Sequence, residues 1–197
     1  MTKPKEDETL KDFILASGSP QRQHLLAQIG YTPKDIHPAN IDEHILKGET
    51  PLRYIRRIAR AKAEAVAAIL PNENILSADT VIVAGQKIIQ KSPDDETQTK
   101  VMRLLSGRTH KVITSVCLIS KTGKISQKTV TTKIVMKHLT ENEITNYIAS
   151  KEWHGVAGYK IEGMLAGFVK KIIGSYSGVI GLPLYETKNM LNGIGVN

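Results

Sequence analysis

Residues 14–30 read ILASGSPQRQHLLAQIG, and the change of pattern inside this stretch decides the fold. Ile14, Leu15 and Ala16 form a short buried strand that stops at Ser17. Ser19 stands where a helix cap belongs, Pro20 suits the first helical turn, and Gly30 ends a helix whose core face is Leu25, Leu26 and Ile29. A strand entering a helix in this way leaves several backbone N–H groups unpaired at the helix's positive end, where one phosphate can accept from all of them. Ser17 and Ser19 add hydroxyls, and Arg22 adds a planar fork suited to phosphate oxygens. The plainer alternative is an ordinary capped helix with a surface arginine.

The next segment, Tyr31 to Gly48, reads as an irregular crossing with the acidic pair Asp42 and Glu43, which read first as solvated loop acids. Thr50 and Pro51 repeat the cap-then-proline device and open a helix that Pro71 closes. On it Ile55, Ile58, Lys62 and Ile69 recur at helical spacing, which puts Lys62 on an apolar stripe. A core-facing ammonium needs an anionic partner. The alternative is a side chain extended to water, the reading given to Arg56, Arg57 and Arg60 on the same helix. The run Ile75 to Val83 reads as a strand that turns at Ala84-Gly85 into Lys87 to Gln90, a hairpin. Asp79 interrupts that apolar run, where a carboxylate is costly unless it meets a cation, a metal or a donor. It reads as the counterpart of Lys62 and of Lys91 beyond the hairpin, able to share a divalent ion or to take a proton from water.

Downstream, Ser92 with Asp95 reads as a capping box with Pro93 in the first turn of a helix that ends at Gly107. His110 to Leu139, rich in Val, Ile and Thr and broken at Thr122-Gly123, reads as a long antiparallel hairpin. Thr140 and Glu143 cap another helix. The glycine-rich stretch Trp153 to Gly167 reads as a binding loop, Phe168 to Ile173 as a strand, Ser175 to Pro183 as a flexible turn, and Leu184 onward as a short helix. With no repeat or linker, the expectation is one mixed α/β domain over residues 1–197 with a flexible polar N-terminus over residues 1–10.

Composition narrows the function. Hydrophobic residues make up 41%, enough for a continuous core, and 27 Lys plus Arg against 19 Asp plus Glu give a net charge of +8 that favours anionic partners. Aromatics are 5% and not interleaved with basic clusters, so nucleic acid is not the expected partner. One cysteine, Cys117, excludes a disulfide frame or thiolate cage within one chain and fits a reducing cytoplasm. The polar first nine residues lack a secretion signal's apolar core, and no run approaches the ~20 apolar residues of a membrane span. The histidines show no paired metal-ligand spacing, and no Walker loop, dinucleotide fingerprint or nucleophile elbow occurs.

Taken in order, ILASGSPQRQHLLAQIG at 14–30, ARAKA at 59–63, SADTVI at 77–82, LLSGRTHKVITSV at 104–116 and GSYSGVIGLPLYET at 174–187 resemble the Maf family of nucleoside triphosphate pyrophosphatases. The resemblance implies an elongated mixed-sheet α/β fold like that of inosine-triphosphate pyrophosphatases, two lobes around a central cleft, and a homodimer. It implies magnesium- or manganese-assisted cleavage of a nucleoside triphosphate to monophosphate and pyrophosphate. Carried over, Ser17, Ser19 and Arg22 hold phosphates, Lys62 and Lys91 neutralise the polyphosphate, Glu43 and Asp79 hold the metal, and Asp79 is the base. Thr80 beside Asp79 resembles the branch acting on dTTP and UTP, whereas Glu162-Gly163 resembles the branch acting on 7-methyl-GTP. The chain departs from the family at Gln21, where arginine is frequent, at Lys91-Ser92, where Lys-Pro is common, and in a loop one residue shorter at Ala157-Gly158-Tyr159. The family is also linked to inhibition of septum formation, so a regulatory binding protein is the competing expectation.

Overall fold

The computed structural model describes residues 10–197. The flexible segment expected at the N-terminus lies outside the described residues except for Leu10, which already opens a strand. In chain order the elements are β1 Leu10–Leu15, α1 Pro20–Gln28, β2 Thr32–Ile36, α2 Pro51–Ile69, β3 Ile75–Ala84, β4 Lys87–Ile89 and α3 Asp95–Leu105. They continue as β5 Thr109–Ile119, β6 Ile125–Met136, α4 Glu141–Ser150, a 3-10 turn at Met164–Phe168, β7 Val169–Ile173, α5 Tyr176–Ile180 and α6 Leu184–Asn192. One seven-stranded sheet orders the strands β2-β1-β3-β5-β6-β7, with β4 alongside β3. The mixed α/β architecture expected from the sequence is therefore present.

β1 runs parallel to both β2 and β3, with α1 and α2 as the crossovers, and every other pairing is antiparallel. Alternation along β3 sorts the helices onto two faces. Leu76 and Ala78 pack with Leu15 of β1, Leu26 of α1 and Leu191 of α6. On the opposite face Ile75, Val81 and Val83 meet α2 through Ala59, Ala63, Ile55 and Ile58. A third cluster joins Ile82 and Val112 to α3, α4 and the loop after α4 through Met102, Tyr147, Trp153 and Tyr159.

One feature of this topology opens the site. β1 pairs with β3 only at Ile75 and Leu76, and β4 joins the same edge of β3 only from Ile82. Between them, from Ser77 to Val81, that edge has no partner strand among the described residues. The gap lies just past the end of β1, where open α/β sheets place ligands.

Several expectations need correction. β2 crosses the stretch read as irregular; it is an edge strand, mostly exposed and carrying Pro33, so it lacks the apolar signal of a strand. α3 is capped by Asp94, which accepts from the Thr97 N–H, and not by Ser92, whose hydroxyl donates to Gln98. Ser19 occupies the cap of α1 but makes no side-chain cap bond and turns to Gln21 instead. Ile69 is 61% exposed, because the last turn of α2 runs past the sheet, so the buried stripe continues through Ala63 and Val66. The turn at Ser175 to Pro183 contains the short helix α5, capped by Ser175. The capping box of Thr140 and Glu143 is formed as expected.

His110 is 2% exposed, hydrogen-bonded through Nε2 to the Tyr159 hydroxyl, and burial lowers its pKa to about 4. The unfolded chain protonates this group near its ordinary value while the folded protein does not, so stability is complete above about pH 6.5 and falls until about pH 4. The expected loss is about 3 kcal/mol. Urea unfolding of wild type and His110→Gln at pH 7.5 and 4.5 reads it: the acid-side loss should be smaller in the variant.

Candidate active site

The gap along β3 is the floor of a cleft of about 750 Å³, within the range of small-molecule sites. Ser17, Ser19, Arg22, Glu43, Lys62, Asp79, Thr80, Lys91 and Glu162, all singled out in the sequence, line it. They arrive from separate elements: the β1–α1 turn, the first turn of α1, the β2–α2 segment, α2, β3, the end of the β3–β4 hairpin and the loop after α4.

Lys62 is the hub. Its residue is 9% exposed, and Nζ lies 2.8 Å from Asp79 Oδ1 and 2.9 Å from Glu43 Oε1. Asp79 points to the α2 face of β3 by strand alternation, and the α2 stripe delivers Lys62 to that point. The Asp79 side chain is 13% exposed, whereas that of Glu43 is 47% exposed and reaches the same ammonium from a segment without regular structure. Asp79 thus serves Lys62 and not Lys91, which is exposed and has no ion-pair partner among the described residues. Lys91 is placed by a single antiparallel bridge to Ala157. Asp42 pairs with His44 at the surface, outside the cleft lining.

Across the cleft, Arg22 donates from Nη1 to Ser17 Oγ at 2.8 Å and from Nε to the Gly181 carbonyl at 2.9 Å. Gly181 holds φ at +140°, a backbone conformation that strains any other residue, so the carbonyl that Arg22 grips depends on glycine. Burial pulls the Arg22 guanidinium below its ordinary value while the Asp79 and Glu43 carboxylates pull it up; arginine remains charged throughout. Thr80, on the face of β3 opposite Asp79, donates to Thr114 Oγ1 at 2.9 Å, and Thr114 passes its own proton to the Gly178 carbonyl at 2.6 Å. Glu162 is exposed on the loop that forms the far wall. That wall is tied back by buried Gln98, which donates to the Gly158 carbonyl, and a Cβ on Gly158 would collide with Ile82.

The sequence reading missed Tyr54, which lines the cleft and donates to the Glu43 carbonyl at 3.0 Å. Burial, followed by the charges of Asp79 and Glu43, pushes its hydroxyl up to about 12. Tyr54, Ile58 and Lys62 form one i, i+4 row of α2, a signal present in the sequence. Lys160, half-buried in the lining, was also missed, and only the loop's path reveals it. Arg57, read as solvated, instead grips Glu49 with two nitrogens at 2.7 Å and holds its carboxyl down at about 2.

A cleft of this size on a mixed sheet, lined by four cationic side chains together with hydroxyls and a convergent pair of carboxylates, marks an α/β protein suited to an oxygen-rich polyanion. Comparison with known proteins narrows the class: residues 12–194 match the Maf-like protein family, and the chain belongs to it. A dTTP/UTP pyrophosphatase of Paramagnetospirillum magneticum is 46% identical over 184 residues, covering 93% of this chain and 97% of its own. Proteins with the same description from Caulobacter vibrioides and Agrobacterium fabrum are also 46% identical, covering 93% of this chain and 95% and 92% of theirs. A solved nucleoside-triphosphatase / dITP/XTP pyrophosphatase from Mycobacterium abscessus overlaps 64% of this chain and 75% of its own at 12% identity and a TM-score of 0.43, too slight a likeness to argue from.

Removing the hub should expose its energetics. Lys62→Ala leaves the Asp79 carboxylate uncompensated beside Glu43, and a loss of about 2 to 3 kcal/mol is expected in urea unfolding at pH 7. Lys62→Met combined with Asp79→Asn should recover most of it, since the charge stranded by the first change is then gone.

Proposed function

We propose that the protein hydrolyses pyrimidine nucleoside triphosphates, dTTP and UTP, to the monophosphate and pyrophosphate. The observation that carries this reading is the Lys62 ammonium shared between Asp79 and Glu43 in a cleft that also holds Ser17 and Arg22. The relatives' descriptions supply the substrate class.

In this proposal the phosphates lie against the N-terminus of α1, where their oxygens accept from unpaired N–H groups, the Ser17 and Ser19 hydroxyls and Arg22. Asp79 keeps Oδ1 on Lys62, and its second oxygen has no hydrogen-bond partner among the described residues, so it is free to take a proton from water attacking phosphorus. As the bond between the α and β phosphates breaks, Lys62 and Lys91 stabilise the charge passing to the leaving pyrophosphate. Asp79 and Glu43 suit a hard divalent ion such as magnesium or manganese, being carboxylates that already converge on one cationic centre. No group of three His, Cys, Asp or Glu side chains able to hold a metal occurs among the described residues, so substrate oxygens would complete the coordination. When bound, that ion would neutralise phosphate charge and make water more acidic. Thr80 and Glu162 flank the space left for the base.

One domain working as a cytoplasmic homodimer belongs to the same proposal, supported by the family resemblance, and the free, buried Cys117 fits a reducing compartment. No helix among the described residues is long and apolar enough to cross a membrane. A second reading, preference for 7-methyl-GTP, is favoured by Glu162, a carboxylate in the lining that can accept from a guanine's donors.

A panel of dTTP, UTP, dCTP, GTP and 7-methyl-GTP with magnesium or manganese separates these readings. Release of pyrophosphate with dTTP and UTP turned over fastest is expected, and Asp79→Asn should lower kcat by about a thousandfold. Release of orthophosphate, or an Asp79→Asn variant as active as wild type, would overturn the assignment.

A further inference from the structure

Glu43 poses a problem of placement. Its side chain is 47% exposed and sits in the stretch between β2 and α2 that has no regular structure, yet its carboxylate must meet Lys62 at a defined point. A half-exposed carboxylate does not hold such a position by packing; the cost of ordering its side chain and backbone has to be met by its neighbours.

Those neighbours come from the first two turns of α2. Tyr54 donates its hydroxyl to the carbonyl of Glu43 itself at 3.0 Å, and Arg57 donates from Nη2 to the carbonyl of His44 at 2.9 Å. The same guanidinium makes two 2.7 Å bonds to the Glu49 carboxylate, whose side chain is only 8% exposed. Glu49 in turn accepts from the Leu46 N–H at 3.1 Å, and Arg57 lies 5.6 Å from the centre of the Tyr54 ring. The backbone at Glu43 and on its C-terminal side, through His44 and the Leu46–Glu49 turn, is therefore tied to the helix that carries Lys62. A forked arginine–carboxylate pair fixes direction as well as distance, and this one, with Glu49 covered and Arg57 32% exposed, lies outside the cleft lining.

We infer that Arg57 and Glu49, with Tyr54, are positioning residues that present Glu43 to the Lys62–Asp79 centre and so set the affinity for the divalent ion. This rests on the proposed function for the metal-holding role of Glu43 and Asp79. Groups that support metal ligands typically change metal affinity by about 10- to 100-fold when removed.

The test uses Arg57→Ala, Arg57→Lys and Glu49→Gln in the full chain, each first shown to keep a cooperative unfolding transition. Manganese binding, read by electron paramagnetic resonance with and without a non-hydrolysable dTTP analogue to complete the coordination, should weaken by about tenfold or more in Arg57→Ala and Glu49→Gln and by less in Arg57→Lys. In dTTP turnover the half-saturating manganese should rise by a similar factor, with kcat largely recovered at saturating metal. Native-state hydrogen exchange should quicken at the Leu46 amide while α2 and β3 amides stay protected. Placed on Glu43→Ala, the Arg57→Ala change should cost nothing further, because the residue it positions is already gone. Additive losses in that double variant, unchanged manganese binding, or a kcat defect that saturating metal does not repair would overturn the inference. A wild type that binds manganese but turns over no triphosphate would sink the pyrophosphatase reading and leave the binding and exchange results to judge the clamp.

Discussion

The arrangement depends on one ammonium held between two carboxylates in a half-dry cleft. Separately, Lys62 or Asp79 in such surroundings would carry a large desolvation cost, and Glu43 would have no reason to leave solvent. Together they satisfy one another, yet the match is deliberately incomplete: two acids converge on a single cation, while Arg22, Lys91 and Lys160 stand around the same space without an acidic partner among the described residues. In the function proposed, a polyanion and a divalent ion would settle the charge balance. That incompleteness separates a binding centre from a structural ion pair, which would be closed on itself.

Much of this was legible in the chain. Lys62 could be found because a helix repeats with a period that places it on the same side as Ile55 and Ile58, and Asp79 because it breaks a run of strand-forming apolar residues. The cap-and-proline start of α2, the two hairpins and the Thr140 capping box follow from local chemistry and form as read. What escaped has little local signal. β2 is a polar edge strand defined by its neighbour β1, and α5 is a single turn and a half fixed by Ser175 and by the tight path of Gly178 and Gly181. Ile69 looks like core by spacing alone, but a sheet of finite width leaves the last turn of α2 uncovered.

The most consequential omission was the pair Arg57 and Glu49. On a helical wheel Arg57 belongs with the solvated face, alongside Arg56 and Arg60, and nothing in the sequence says that the preceding segment folds back over it. Only the path of residues 37 to 50, looping over the start of α2, turns a surface arginine into an anchor. Contacts of this kind depend on tertiary geometry and are invisible to any reading based on periodicity. The family resemblance, which aligns conspicuous motifs, passed over them as well.

The interruption in strand pairing along β3 has a meaning beyond the cleft it opens. Bare backbone donors and acceptors on a sheet edge invite another chain to add itself, which is the route to domain exchange and fibrillar stacking. Here the exposed run is short, recessed between the end of β1 and the β3–β4 hairpin, and bordered by a charged side chain at Asp79. A stray peptide would have to enter that recess beside the Lys62–Asp79 pair to reach it. The ion pair at the heart of the cleft thereby also stands guard over its bare stretch of sheet edge.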